Sequence, residues 1–235
     1  MKDISITDLY KAKVHFGHLK RFISPKMFKY IYTTNNKISI FDLDVTLNQI
    51  KHALNFIENI ISNNGTILFV GTKRQASSLI KNYAKKIDMP YVNFRWLGGS
   101  LTNYKTIKNS ILKFKDLENN FKNDSLTHLT KKEILNENKK LKKLQLNFEG
   151  IKNLDTLPNA IFVIDVNYEK TAVLEANKLN IPVIGIVDSN SNPDNIEYVI
   201  PGNDDSTDAI NLYLDIISDH IEKINTKIKE QTKIS

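Results

Sequence analysis

Three short segments of this chain are almost entirely apolar, and stretches with helical periodicity lie between them. They are residues 67–70, 161–164 and 183–187. A strand that is apolar on both sides is buried on both sides, which is typical of a parallel sheet covered by helices on each face. The pattern therefore predicts a doubly wound α/β fold with a mainly parallel sheet. A chain of 235 residues is long enough to bury one large core.

The other elements follow from periodicity and from signals at element ends. In residues 44–61 apolar side chains recur every three or four positions, which predicts a helix with one buried face, and residues 63–65 (Asn-Asn-Gly) supply an ending signal. Further helices are predicted at residues 5–13, 75–87, 170–179 and 206–229. Strands are predicted at residues 37–43, 66–70, 91–93, 160–165, 182–187 and 198–200.

Residues 105–152 interrupt this alternation with a lysine-rich segment. Its apolar residues fall on one stripe and then at heptad-like positions: Ile107, Ile111, Phe114 and Phe121, followed by Ile134, Leu141, Leu144, Phe148 and Ile151. Residues 123–125 form a turn-prone tip, and Thr130 with Glu133 matches a capping box for the returning helix. We expect a protruding two-helix hairpin, inserted into an α/β domain made of residues 1–104 and 153–235.

Charge is distributed unevenly along the chain, whose net charge is +7. Residues 1–104 hold 15 lysines and arginines against 6 acids, residues 105–152 hold 12 against 6, and residues 153–235 hold 6 against 14. A basic front and an acidic end are expected of a protein that lies between nucleic acid and other proteins. A solvated surface with a chance asymmetry is the alternative, and composition alone leaves both open.

Composition also excludes several classes of site. The sequence has no cysteine, so disulfides, thiolate zinc sites and cysteine nucleophiles are excluded. The first ten residues do not resemble a signal peptide, and no apolar run approaches the roughly 20 residues that a membrane helix needs. We expect a soluble intracellular protein without a membrane partner.

Residues 69–107 join the end of a strand to residue types that bind folded RNA. Glycine, threonine and two cations follow the strand at residues 71–74. Residues 91–107 then bring together an arginine, the single tryptophan, paired glycines, a tyrosine and several hydroxyl and amide groups. Cations bind phosphates and aromatic rings stack on unpaired bases, so this stretch favours RNA as a ligand. It contains no recognisable general acid, nucleophile or metal cage.

This stretch resembles the ribosomal protein S-two family of the small ribosomal subunit. Further blocks with the same resemblance follow in the family's order along nearly the whole chain. They are VHFGH (14–18), PKM (25–27), LP (157–158), IFVID (161–165), EAN (175–177), IPV (181–183), VD (187–188) and IPGNDD (200–205).

The resemblance implies a flavodoxin-like version of the doubly wound fold, with a coiled coil in the hairpin. It implies a structural, noncatalytic constituent of the cytoplasmic ribosome that binds small-subunit rRNA on the solvent side, near the junction of head and body. Neighbouring small-subunit proteins would be its other partners, among them the large mRNA-binding protein S-one, which the family helps to anchor. No cofactor and no small-molecule substrate are expected.

Eleven residues are candidates for RNA contact, because they lie in loops or at element ends where side chains reach phosphates or bases without disturbing a core. They are Lys20, Arg21, Lys26, Lys29, Lys73, Arg74, Arg95, Trp96, Tyr104, Lys105 and Lys108. The rings of Trp96 and Tyr104, like that of Phe22, suit stacking on unpaired bases, with a place in the core as the alternative. Arg95 and Trp96 also suit a role in fixing the base of the hairpin.

Acidic residues follow the predicted strand ends where doubly wound folds bind ligands. Asp188, Asp204 and Asp205, together with His18, are candidates for binding a hard cation. Capping of the last helix is the alternative for Asp204 and Asp205. His15 and His18 are three residues apart, which suits a metal only on a helix, and packing within the basic loop is the alternative.

Two glycine motifs argue against nucleotide chemistry. Residues 71–73 (Gly-Thr-Lys) lack the spacing of a phosphate-binding loop, and Gly98 with Gly99 lacks the three spaced glycines of a dinucleotide site. The glycine pair instead indicates a close backbone approach or an unusual turn. Two competing functions stay open: an α/β enzyme that binds a sugar phosphate or nucleotide, and an RNA-binding regulator that acts outside the ribosome.

The chain departs from the family pattern at three positions that bear on partner contacts. Ile23 and Ser24 stand where the family usually has tryptophan and asparagine, and Asp208 stands near the start of the last helix in place of a cation. Contacts made by those family residues are not carried over to this chain.

Overall fold

The structure, a computed structural model, describes residues 4–123 and 130–232 of the chain. The elements in chain order are α1 (Ile6–Lys11), β1 (Phe16–Leu19), β2 (Ile31–Asn35), β3 (Ile38–Phe41), α2 (Leu43–Ser62), β4 (Ile67–Val70), α3 (Arg74–Lys86), β5 (Tyr91–Val92), α4 (Tyr104–Lys122), α5 (Lys131–Phe148), β6 (Ala160–Ile164), α6 (Lys170–Lys178), β7 (Val183–Val187), β8 (Tyr198–Pro201) and α7 (Thr207–Thr232). Short 3-10 helices lie at Lys20–Phe22, Pro25–Tyr30 and Glu149–Ile151.

The central sheet has five parallel strands in the order β5-β4-β6-β7-β8. Numbered among themselves along the chain, these strands stand in the order 2-1-3-4-5, which is the flavodoxin-like arrangement. Strands β4, β6 and β7 are buried at every position, as strands covered on both faces must be. The prediction of a doubly wound, flavodoxin-like α/β fold is confirmed.

Alternate residues of the strands belong to two separate hydrophobic layers. Phe69, Phe162 and Ile186 point to one layer, which contains the apolar faces of α2, α3 and α7. Val70, Val163 and Val187 point to the other, which contains α6 and the base of α4 and α5. Because side chains alternate along a strand, each apolar run of four or five residues supplies both layers.

A second, antiparallel sheet of three strands in the order β1-β3-β2 precedes the parallel one. The sequence predicted a basic loop and a single strand here, because the segment of β1 carries a glycine and a histidine instead of an apolar run. The β2–β3 hairpin turns at Asn36 and Lys37, both in the left-handed region with φ of 47° and 66°. Gly17 of β1 lies against Ser39 and Ser189, where a Cβ atom would collide with both side chains. The small sheet therefore packs closely on the loop after β7.

Helices α4 and α5 occupy the segment predicted as a hairpin. Ile107, Ile111 and Phe114 are buried on α4, and Phe148 is buried on α5. The predicted capping box is confirmed: Thr130 Oγ1 accepts from the Glu133 amide, and the Glu133 carboxylate accepts from the Thr130 amide. Of the predicted tip, residues 124 and 125 lie outside the described residues. That the two helices form a coiled coil, and that residues 105–152 are a separate insertion, stay predictions.

The base of this helical pair is tied to the α/β domain on both sides. The Tyr104 hydroxyl donates to the Leu154 carbonyl, and Lys152 forms an ion pair with Glu118. Lys81 and Lys85 of α3 both pair with Glu149, at 2.9 and 2.7 Å. These contacts fix the start of α4 and the end of α5 relative to the sheet. Within the described residues, no helix has the length and hydropathy that a membrane span requires.

Candidate functional site

The loops that leave the carboxyl ends of the five parallel strands lie side by side, because neighbouring parallel strands end at the same edge. They are residues 71–73, 93–95, 165–169, 188–191 and 202–205. This is the edge at which doubly wound folds bind ligands. Five of the predicted site residues belong to these loops: Lys73, Arg95, Asp188, Asp204 and Asp205.

The ammonium group of Lys73 lies at the centre of this edge, among three carboxylates. Its Nζ atom is 2.5 Å from Asp205, 2.9 Å from Asp165 and 3.2 Å from Asp204. We call these four residues the Lys73 cluster. The cluster joins the ends of β4 and β6 to the loop before α7. Asp204 is 1% exposed, so its charge depends on this pairing.

Burial and charge density shift the pKa values of the cluster. Burial, together with Asp188 and Asp165, raises the pKa of Asp204 to about 8. Burial alone would lower the pKa of Lys73, but hydrogen bonds to Asp205 and Asp165 outweigh it and raise the pKa overall. Lys73 is therefore cationic at neutral pH and compensates the Asp165 and Asp205 carboxylates, while Asp204, with a pKa of about 8, is mainly protonated.

A second buried contact joins the same two strands. The Glu169 carboxylate accepts hydrogen bonds from the Thr72 amide and the Thr72 hydroxyl, both at 2.7 Å. Glu169 is 3% exposed, and burial raises its pKa. The loops after β4 and β6 are thus held together by two independent polar contacts.

His18, Asp188 and Asp205 form a smaller group beside the Lys73 cluster. His18 Nδ1 lies 3.1 Å from Asp188 and His18 Nε2 lies 3.4 Å from Asp205. One possible ligand atom from each residue lies within 4.8 Å of the others. The hydrogen bond with Asp188 raises the pKa of His18. An imidazole with two carboxylates suits a divalent cation, and the same atoms also suit a protonated histidine between two acids.

The predicted cation set therefore comes together in part. His18, Asp188 and Asp205 of the predicted set lie together, whereas Asp204 contacts only the Lys73 side of the site. Asp205 contacts both Lys73 and His18. Asn203 orders the turn ahead of α7, since its side-chain oxygen accepts from the amides of Asp205 and Ser206. The alternative role of Asp204 and Asp205 as helix caps stays a prediction. His15 lies in the turn before β1 and stacks on Tyr10 with ring centroids 4.5 Å apart, so packing is its observed role.

Glu175 of α6 organises the loop that leads from β5 to α4. Its buried carboxylate accepts hydrogen bonds from Trp96 Nε1 at 3.1 Å and from the amides of Gly99, Leu101 and Thr102 at 2.8 to 3.2 Å. Gly99 has a φ of +86°, so the expected unusual turn is confirmed, while a Cβ on Gly98 would meet nothing within 4 Å. One side chain thus fixes the path from Arg95 to the first turn of α4.

The same hydrogen bonds control the charge of Glu175. Burial would raise its pKa, but the donors from Leu101, Trp96, Gly99 and Thr102 outweigh burial and lower it. The carboxylate form is therefore the one that this loop stabilises.

Three of the eleven predicted RNA-contact residues are buried or half-buried and are held by internal partners. Lys73 is surrounded by carboxylates, Trp96 is 9% exposed with its Nε1 on Glu175, and the Tyr104 hydroxyl is bound to Leu154. The charge of Lys73 is compensated by its carboxylates, and Trp96 and Tyr104 are directed to partners inside the protein. For these three we replace the expected RNA contact with a positioning role.

The other eight are exposed. They are Lys20, Arg21, Lys26, Lys29, Arg74, Arg95, Lys105 and Lys108. Arg21 lies over the Phe22 ring at 4.6 Å, and Lys26 forms an ion pair with Asp194. Arg74 and Arg95 project from the strand edge itself.

The prediction missed Glu175, Glu169 and Asp165, which do most to shape this edge. A signal for Glu175 was present, since it stands between the apolar positions Val173 and Ala176 of a short helix, on the face turned to the core. An acid on a buried face requires donors, and paired glycines followed by hydroxyl residues supply backbone and side-chain donors. No pattern near Lys73 in the sequence indicated its carboxylate partners, because they lie 92 or more residues away.

Comparison with known proteins shows which family this chain resembles. Residues 9–223 match the model of the family described as Ribosomal protein S2. The chain is 52% identical to the small ribosomal subunit protein uS2 of Hahella chejuensis over 93% of this chain and 87% of that protein. It is 50% identical to the uS2 protein of Marinobacter nauticus, over 93% and 88%. It is 51% identical to that of Coxiella burnetii, over 94% and 71%.

We predict that Glu175→Gln lowers the free energy of unfolding at pH 7 by about 2–3 kcal/mol, because an amide nitrogen would face backbone donors. The folded-state pKa of Glu175 is lowered, so its stabilisation is complete above the ordinary value of 4.5 and is lost as the pH falls through the folded-state pKa. Urea unfolding at pH 7 and pH 3 should therefore show a difference between variant and wild type that shrinks in acid. Glu197→Gln, at an exposed position, is the matched control. A pH-independent difference would contradict this role.

Proposed function

The chain belongs to the ribosomal protein S2 family, and from this premise we propose that it binds small-subunit rRNA through its exposed cations. As a member of this family it is a structural protein of the small ribosomal subunit and not an enzyme. The proposed mechanism is passive: a rigid α/β body neutralises phosphates on one side and contacts protein neighbours elsewhere.

The observation that carries this proposal is the opposite orientation of cations and acids at the strand edge. Asp165, Asp204 and Glu169 turn inward and are held by Lys73 or Thr72. Asp205 is 49% exposed, but its carboxylate is paired with Lys73 and His18. Arg74 and Arg95 of the neighbouring loops are exposed, and within residues 4–123 and 130–230 neither takes part in an ion pair. An edge that contains many acids thus presents positive charge to a polyanion.

The exposed cations of the small antiparallel sheet extend the proposed RNA contact. Lys20, Arg21 and Lys29 are exposed in the 3-10 helices between β1 and β2. Lys105 and Lys108 lie at the base of α4, where the Lys108 ammonium also donates to the Asp155 carbonyl at 3.2 Å. Contacts of these cations with phosphates would fix the position and orientation of the protein on the RNA.

We predict that Arg74→Ala combined with Arg95→Ala lowers the salt slope of rRNA binding by about 1.5, because each lost phosphate contact removes about 0.7–0.9 from the slope. The measurement is filter binding of purified small-subunit rRNA at several salt concentrations. Lys73→Met is the informative comparison, since it should destabilise the fold by about 3–5 kcal/mol through uncompensated acids. Its slope, measured where the variant is folded, should stay at the wild-type value. An unchanged slope for the double arginine variant would contradict the assignment.

Anchoring of protein S-one is the finer part of the proposal, and we assign it to the small antiparallel sheet. Large apolar side chains are exposed there, among them Phe16 at 40% and Tyr32 at 76%. Phe16 lies on β1 and Tyr32 on β2, the two outer strands of this sheet, and exposed apolar surface of this kind marks protein interaction sites. Phe16→Ala with Tyr32→Ala should reduce S-one on purified small subunits and leave the amount of the chain itself unchanged. Normal S-one occupancy would contradict this assignment.

We also propose that His18, Asp188 and Asp205 bind a divalent cation. The three side chains supply a nitrogen and two carboxylates at compatible distances. Asp188→Asn should lower the metal content of the purified protein, measured by mass spectrometry of the element, relative to Asp194→Asn on an exposed loop. Equal metal content in wild type and Asp188→Asn would end the cation assignment and leave a protonated histidine between two acids.

A further inference from the structure

We infer that Phe94 and Tyr168, with Arg74, Arg95 and Lys170 around them, form a platform for unpaired nucleotides at the carboxyl edge of the sheet. This inference rests on the proposed rRNA binding and specifies its ligand as a short single-stranded segment. Phe94, Tyr168 and Lys170 were not among the predicted contact residues.

The strand order brings the three loops that carry these five side chains to one edge of the sheet. Phe94 and Arg95 follow β5, Arg74 follows β4, and Tyr168 and Lys170 follow β6, and these strands are neighbours in the order β5-β4-β6. Neighbouring strands are about 4.8 Å apart, so the outer two loops begin about 10 Å apart. One short segment of RNA can contact both.

Both aromatic rings are exposed although they stand next to buried residues. Phe94 is 53% exposed and Tyr168 is 64% exposed, whereas Trp96 and Glu169 beside them are 9% and 3% exposed. A phenylalanine at the end of a buried strand would lower the free energy by turning inward if the core had room for it. Here the core is filled by Trp96, and the Phe94 ring is left facing solvent.

Partly buried hydrogen bonds hold the three loops in place. Ser77 Oγ donates to the Asn93 carbonyl at 2.5 Å, and the Asn93 side chain donates back to the Ser77 carbonyl at 3.2 Å. The Tyr168 amide donates to Asp165 at 2.9 Å. Together with the Thr72–Glu169 contact, these bonds connect all three loops. A platform that is already rigid loses little entropy when a ligand binds.

The helices that begin at this edge also favour an anion. Helices α3 and α6 start at Arg74 and Lys170, and neither has a side-chain cap or an acid in its first turn. The free amides and the positive end of each helix dipole are therefore open to phosphate oxygens. Cations in the first turn are unfavourable for an isolated helix, which makes Arg74 and Lys170 better explained by a bound anion.

Exposed aromatic rings alternating with cations select unpaired nucleotides over a duplex. In a duplex the base faces are covered by stacking, so Phe94 and Tyr168 would have no partner. In a single strand every base presents a face, and cations beside the rings follow the phosphates. A protein ligand would leave two arginines and a lysine without anionic partners unless it were strongly acidic.

The test compares Phe94→Ala combined with Tyr168→Ala against wild type in the full chain. Fluorescence anisotropy should show at least about tenfold weaker binding of a twelve-nucleotide oligouridine, since each base–ring contact is worth about five- to a hundredfold. Binding of an RNA duplex with equal phosphate number should change little, and the salt slope should be unaltered. Phe94→Tyr with Tyr168→Phe keeps both rings and should retain affinity. Tyr10→Ala, which removes a 63% exposed ring on α1 outside the platform, is the control.

The outcomes separate this inference from the proposed function. Wild type that fails to bind small-subunit rRNA would refute the proposed function itself. If wild type bound rRNA and the double alanine variant bound oligouridine as tightly as wild type does, only the platform would be overturned. If the double alanine variant lost equal affinity for oligouridine and for the duplex, the platform would be overturned too. The same conclusion would follow if the variant bound oligouridine normally but reconstituted subunits containing it lacked another protein.

Discussion

The ion cluster around Lys73 is the interaction on which the arrangement of the strand edge depends. Three acids from distant parts of the chain meet one ammonium group there, and two of the acids, Asp165 and Asp204, are almost fully buried. A buried pair of this kind adds little net stability, but removing one partner leaves an uncompensated charge. The ion pairs of Lys73 therefore fix the relative positions of the loops after β4, β6 and β8.

This cluster changes what the edge of a doubly wound sheet can do. In many proteins with this fold the same edge is an open crevice that binds a nucleotide or another small ligand. Here internal ion pairs and the antiparallel sheet, with His18 on Asp188, occupy that region. Cations and aromatic rings that remain exposed lie at the rim. The surface is thus suited to a large polyanion that covers the edge from outside.

Glu175 extends the same principle to the helical pair. A buried carboxylate that accepts from Trp96 and three backbone amides fixes the loop into α4, and Glu149 with Lys81 and Lys85 fixes the return from α5. Both contacts use acids inside a chain whose front two thirds is basic. These acids hold loops and helices together inside the protein, and the exposed cations are free to contact partners.

Patterns within a few residues predicted the central sheet, its helices and the capping box, since periodicity and caps are local properties. The antiparallel sheet was missed, because Phe16 to Leu19 lacks a strand pattern and is a strand only through pairing with β3. Exposure of Arg74 and Arg95 was predicted from their loops. The internal role of Lys73 was not, because Asp165 lies 92 residues away in sequence. A polar contact between residues far apart in sequence produces no pattern in the sequence around either residue.

Sedimentation of the tagged chain from cell extract, with and without ribonuclease, tests the central claim most directly. The chain should migrate with the small ribosomal subunit in a sucrose gradient and move to the top of the gradient once the RNA is degraded. A chain that stays at the top in intact extract, or that sediments equally after ribonuclease treatment, would contradict binding to rRNA through the exposed cations.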